Sequence, residues 1–168
     1  MAALNRVTPA LKAIVENVVT ALDAVDRKPA RIVPIAAGTA PAWDECCDGL
    51  LYSRIVTIAP APDRTNPTPA NIRCGVHLWI VTAAITIVRC VATVDDGGTP
   101  PAAETMAEEG EAILSDAIEI QQALYCTDGI RQIVNGQPVQ EEGMCVGFEW
   151  TFNFAVPVCA DCPPPTPI

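Results

Sequence analysis

Apolar positions recur along the chain with two different periods. Leu11, Ile14, Val15, Val18, Val19, Leu22 and Val25 fall at helical spacing and form one stripe. Thr8 followed by Pro9 supplies a start signal, because the hydroxyl can cap free N–H groups and proline at the first helical position has no hydrogen bond to lose. The pattern predicts a helix from about Pro9 to Asp26, ended by Lys28-Pro29. At the other end of the chain the period is two. Phe148, Trp150, Phe152, Phe154 and Val156 alternate with Glu149, Thr151, Asn153 and Ala155, which puts the bulk on one face of a strand.

Between these two segments, residues 31–35 read as a short strand, and Gly38 and Pro41 break the chain before the next element. Leu50 to Ile58, rich in branched and aromatic residues and bounded by Gly49 and Pro60, reads as a second strand. Residues 59–71 carry Pro60, Pro62, Pro67 and Pro69 and predict an extended, exposed loop. Gly75 to Ala92 is almost continuously apolar or β-branched. It predicts the central strand, buried on both faces, with a bulge near Ala83-Ala84. Asp95-Asp96-Gly97-Gly98 forms a turn, and Thr99-Pro100-Pro101 opens a second helix with Glu104, Glu108 and Glu109 near its positive end.

Met106, Ile113, Leu114, Ala117, Ile118, Gln121 and Leu124 are expected to be the buried stripe of that helix, with a close neighbour packed against Gly110. Ile130 to Val139 reads as a projecting hairpin turning at Asn135-Gly136, a pair suited to the positive φ angles of tight turns. The expected class is therefore α+β: a small, mostly antiparallel sheet packed against two helices, in the order α-β-β-β-α-(hairpin)-β. Residues 1–157 make one domain, and 158–168, with its prolines, an extended tail.

Composition narrows the function. Half of the 168 residues are apolar and 18% are charged, a balance that favours a folded core over disorder. The net charge of -10 argues against binding to a phosphate backbone, which draws its affinity from Lys and Arg. The longest apolar run, Val76 to Val88, is interrupted by His77 and is shorter than the roughly 18 residues of a membrane helix. The N-terminal segment lacks the apolar core of an export signal, so the expected site of synthesis is the cytosol.

No catalytic set is recognisable, and the chain is read as a non-enzyme. The only histidine, His77, stands alone in the apolar run, and Gly97-Gly98 lacks the lysine and further glycines of a phosphate loop. Asp44, Glu45 and Asp48 fit no EF-hand spacing and are read as a solvated acidic loop, as are Glu108, Glu109 and Glu111 on their helix. The eight cysteines are the main candidates for chemistry: Cys46, Cys47, Cys74, Cys90, Cys126, Cys145, Cys159 and Cys162. Cys159 and Cys162 have the spacing of half a zinc site, but a second such pair is missing. Neighbours such as Cys46 and Cys47 point to opposite faces of a strand, so both could ligate one metal only through an unusual turn.

Neither a metal nor a cofactor is therefore expected. The preferred role is disulfide cross-linking, in which Cys46 or Cys47 reaches Cys126 or Cys145; Cys74 and Cys90, at opposite ends of one strand, are too far apart to pair with each other. Spacing alone does not choose among the possible pairings.

The stretches Trp43 to Arg54, Cys74 to Cys90 and Cys145 to Val156, with their cysteine–tryptophan spacing, resemble the tail terminators of long-tailed phages that infect actinobacteria. The resemblance implies a structural virion protein with a tail-terminator-like fold, assembled in the host bacterial cytoplasm. Its copies would form a ring, usually a homo-hexamer, at the neck of the virion. The ring would cap the major tail tube protein and join it to the head-to-tail connector or stopper, with genomic DNA passing through the lumen without specific binding and no membrane involved. An acidic lumen would repel the passing duplex. The runner-up readings are another neck component, namely a stopper or minor tail protein, and a cysteine metal-binding module.

Overall fold

The helical stripe and the alternating strand meet in one core. The computed structural model of the chain describes residues 6–38, 46–61, 78–140 and 144–157. Its elements are α1 (Val7–Ala24), β1 (Arg31–Val33), β2 (Leu50–Pro60), β3 (Leu78–Cys90), α2 (Ala103–Tyr125), β4 (Ile130–Gln140) and β5 (Cys145–Pro157). The strands form one five-stranded mixed sheet in the order β1-β2-β3-β5-β4, in which β1 runs parallel to β2 and every other pairing is antiparallel. The α+β class is thus observed.

Leu11, Ile14, Val15, Val18 and Leu22 of α1 pack with Ile120 and Leu124 of α2 against one face of the sheet. That face presents Val81, Ala83, Ile85 and Ile87 from β3 and Phe152, Phe154 and Val156 from β5. The period of two in each strand is what gathers these residues on one side. Phe152 and Phe154 are almost wholly buried, and each contributes on the order of 2–3 kcal/mol by leaving water. The opposite face carries a smaller cluster, Ala36, Cys46, Leu50, Tyr52 and Val88, at the end of the sheet where β2 begins and β3 ends.

Several expectations are corrected. Residues 130–140 form no hairpin but a single strand, β4, paired along β5. Gly136 lies inside that strand because the Trp150 ring occupies the place of a side chain: a Cβ there would fall within the indole. The Trp150 Nε1 donates to the Ala117 carbonyl at 2.8 Å, so the ring cannot swing away freely. The strand irregularity expected near Ala83-Ala84 belongs to the partner strand, between Ile55 and Thr57, opposite Ala83 and Thr82.

On α2, Met106, Leu114 and Ile118 are exposed, and the buried positions are Asp116, Ala117, Ile120 and Leu124. Gly110 faces open space. Both helices also start off their expected marks: α1 begins two residues before Pro9, and α2 begins at Ala103, after the Thr99-Pro100-Pro101 segment. Residues 59 and 60 continue β2, while the rest of the proline segment, the start of the long apolar run and the tail lie outside the described residues. In the turn before α2, the Asp95 carboxylate accepts the N–H groups of Thr99 at 2.8 Å and Gly97 at 2.9 Å. The Thr99 N–H foremost holds its pKa below the usual carboxylate range.

Asp116 is fully buried and ionic. Arg27 Nε donates to its Oδ1 at 2.5 Å, and Arg89 Nε donates to its Oδ2 at 2.8 Å. Arg27 Nη2 also donates to the Ala112 carbonyl and Arg89 Nη2 to the Arg27 carbonyl, both at 2.6 Å. The end of α1, the end of β3 and the middle of α2 are thereby tied together.

Asp116→Asn should lower stability by about 3–5 kcal/mol, because it strands two arginines at a site built for an anion. Asp23→Asn, which breaks the exposed Lys28–Asp23 pair, should change it by about 0.5 kcal/mol or less. Urea denaturation under non-reducing conditions measures both. Gly136→Ala should cost about 1–3 kcal/mol in the same assay, since the added methyl must displace a locked indole.

Candidate functional site

Cys46 opens a turn: the Gly49 N–H donates to the Cys46 carbonyl at 2.9 Å. The turn depends on Gly49, whose φ of +83° is unfavourable for other residues and whose missing Cβ leaves room for the Arg89 guanidinium at 2.5 Å and for Pro29. It is also bound to the segment after α1, through Ala30 N–H to the Asp48 carbonyl at 3.0 Å and Arg31 N–H to the Gly49 carbonyl at 3.1 Å. Arg89, already fixed by Asp116, therefore braces the turn from the helix side of the sheet.

On the other side lie the thiols. Cys90, the last residue of β3, stands directly opposite Cys145, the first residue of β5. Instead of bonding across the ladder, each reaches into the turn: Cys46 is joined to Cys145 (Cα–Cα 6.0 Å) and Cys47 to Cys90 (Cα–Cα 4.5 Å). The two bridges touch, with Cys46 Sγ 3.3 Å from Cys90 Sγ. Both of these sulfurs are already bonded elsewhere, so the approach is a packing contact and not a hydrogen bond. Cys46 is buried, Cys90 and Cys145 are half-buried, and Cys47 is exposed beside a cavity of about 350 Å³ lined by Ala30, Arg31, Cys47, Asp48 and Gly49.

No known family model and no curated protein matches the chain.

Of the eight cysteines read from the sequence, the fold brings four together: Cys46, Cys47, Cys90 and Cys145. Cys126, considered as a partner for the adjacent pair, instead caps the end of α2 and is exposed and free of any disulfide. Cys74, Cys159 and Cys162 lie outside the described residues, as do His77, Asp44 and Glu45. Asp48 is exposed at the turn. Glu108 and Glu111 are exposed on α2, but Glu109 is half-buried and accepts the Ala92 N–H at 2.7 Å.

The ionic groups were not evident as site residues from sequence. Besides Asp116 and its arginines, Glu149 is buried on the face away from the helices, where Arg54 Nη2 donates to both its carboxylate oxygens at 3.0 Å and Thr86 Oγ1 donates at 3.0 Å. The one signal for Asp116 is its place among Ile113, Ala117, Ile120 and Leu124 at helical spacing. The Asp116 hydrogen bond holds the Arg27 guanidinium above its ordinary pKa, against the opposing effect of burial.

Because Cys46 and Cys47 are adjacent, the two bridges have a simple chemical signature. Tryptic digestion of the oxidised chain without reduction should leave peptides 32–54, 90–131 and 132–168 in one linked species. Mass spectrometry should find that species resolved into its three peptides after reduction; peptide 32–54 released without reductant would contradict the pairing.

Proposed function

We propose that the chain is a structural subunit of a ring at the head-proximal end of a phage tail, which caps the tail tube and joins it to the head connector. The observation that carries this reading is an apolar row on the outer side of α2. Met106 (50% exposed), Leu114 (55%), Ile118 (43%) and Tyr125 (70%) recur at helical spacing on a helix whose opposite side is already buried in the core. Large apolar side chains standing in water along one side of a helix mark a protein contact surface. Copies of one chain packing through such a row against a different part of the neighbour build a head-to-tail assembly, which is a ring when the rotation between neighbours closes.

Two further features support it. The motifs Trp43 to Arg54, Cys74 to Cys90 and Cys145 to Val156 carry the resemblance to tail terminators. The sheet also ends in β4, whose Arg131, Gln132, Val134 and Asn135 are exposed on an edge available to a neighbour. Glu104, Glu108 and Glu111, exposed along α2, add to a net charge of -10 that disfavours adhesion of DNA passing through the ring. In this reading the tail tube protein binds one face of the ring and the connector or stopper the other.

Native mass spectrometry and electron microscopy of the purified chain should reveal a closed oligomer, with six copies as the expected number. Leu114→Glu with Ile118→Glu should dissociate it to a monomer that keeps the wild-type far-ultraviolet circular dichroism. A wild-type chain that stays monomeric and does not associate with tail tubes would refute the proposal.

A further inference from the structure

We propose that Cys46, Cys47, Cys90 and Cys145 form, in the reduced chain, a tetrahedral tetrathiolate site for a divalent zinc ion. The objection to joint ligation by Cys46 and Cys47 is that neighbours in a strand diverge, but these two lie in the turn closed by Gly49 N–H on the Cys46 carbonyl, and both point to the same end of the sheet. The other two ligands come from the facing strand residues Cys90 and Cys145. Four thiolates are a ligand set of structural zinc sites, here supplied as one adjacent pair from a turn and one pair from facing strand ends.

The distances fit. Four thiolates about 2.3 Å from a tetrahedral zinc stand about 3.8 Å from one another. Here the sulfurs of Cys46, Cys90 and Cys145 all lie within 4.8 Å of one another, Cys46 and Cys90 are 3.3 Å apart, and Cys47 is bonded to Cys90. Cys47 Sγ stands outside that three-sulfur group, so ligation by all four requires opening both disulfides and turning the Cys47 side chain inward about its χ1. All-sulfur ligation selects a soft or borderline ion over calcium or magnesium. The exposed Cys47 and the adjoining cavity give reductant and metal a path to the buried Cys46.

The chemistry balances with a dithiol reductant. Each disulfide takes two electrons and two protons from one dithiol, which closes to its own disulfide, so two dithiols yield four thiols. Zinc then displaces four protons and leaves a centre of charge about -2. Arg31, which lines the cavity beside Cys47, is a nearby cation, whereas Arg89 is paired with Asp116 on the helix side of the sheet.

The full-length chain, reduced and freed of reductant under anaerobic conditions, should bind about one zinc per chain by elemental analysis. With cobalt(II) as the probe, it should show thiolate-to-cobalt charge-transfer bands and the d–d bands of tetrahedral coordination. Cys74→Ser, Cys126→Ser, Cys159→Ser and Cys162→Ser combined should preserve both readouts, and Cys90→Ser with Cys145→Ser should abolish them. The proposal fails if the reduced chain keeps its fold by circular dichroism yet binds no stoichiometric zinc. It fails equally if the metal signal is lost in the variant that retains all four clustered cysteines, since the ligands would then lie elsewhere.

Discussion

The buried carboxylate of Asp116 is the constraint around which the rest of the structure is arranged. An unpaired ion in that position would cost several kcal/mol, so the fold must bring cations to it. Arg27 arrives from the end of α1 and Arg89 from the end of β3, and their second donors close on the Ala112 and Arg27 carbonyls. The consequence reaches through the sheet. With Arg89 held, its guanidinium lies where a side chain on residue 49 would have to sit, which reserves that position for glycine and fixes the turn that presents Cys46 and Cys47. A helix-side ion pair thus sets the geometry of sulfurs on the opposite face.

That opposite face needs the help. The helix side of the sheet buries aromatic and branched residues from both helices and the two central strands, whereas among the described residues the other side has a short cluster around Leu50, Tyr52 and Val88. A few side chains at about 1.5–3 kcal/mol each do not outweigh the entropy of ordering the loops that meet there. A bridge spanning 99 residues restricts the unfolded chain by roughly 4–5 kcal/mol, comparable to two or three buried side chains. Cross-linking therefore substitutes for hydrophobic area at this end of the sheet, while farther along the same face Arg54, Glu149 and Thr86 form a polar line closed by hydrogen bonds.

What the sequence made legible follows from how far each signal depends on distant residues. The alternation from Phe148 to Val156 and the stripe of α1 are local, and both elements form there, α1 displaced by two residues at each end. The coarse α+β class follows from the same local periods. Asn135-Gly136 has the local signature of a turn, but the glycine answers to a ring fourteen residues later in the chain, and only the pairing of β4 with β5 reveals that. The clustering of Cys46, Cys47, Cys90 and Cys145 depends on strand register and on a turn fixed by Arg89, neither of which is encoded in cysteine spacing. Asp116 is hidden for the same reason: its two arginines are distant in sequence and reach it only after the sheet and α1 have packed.

The rotation of α2 shows how such a hidden ion decides a surface. The helix carries two apolar stripes, one through Ile113, Ala117, Ile120 and Leu124 and another through Met106, Leu114, Ile118 and Tyr125, and by hydrophobicity alone either could face the core. Successive residues on a helix are about 100° apart, so turning by one position would bury Leu114 and Ile118 and carry Asp116 toward solvent, away from both arginines. The lost ion pair would cost more than the extra apolar burial returns, because each arginine would keep its desolvation without its partner. Asp116 therefore selects the first stripe for the core and leaves the second in water. In the proposed ring, the residues that join neighbouring subunits are exposed because a charge inside each subunit holds the helix in that rotation.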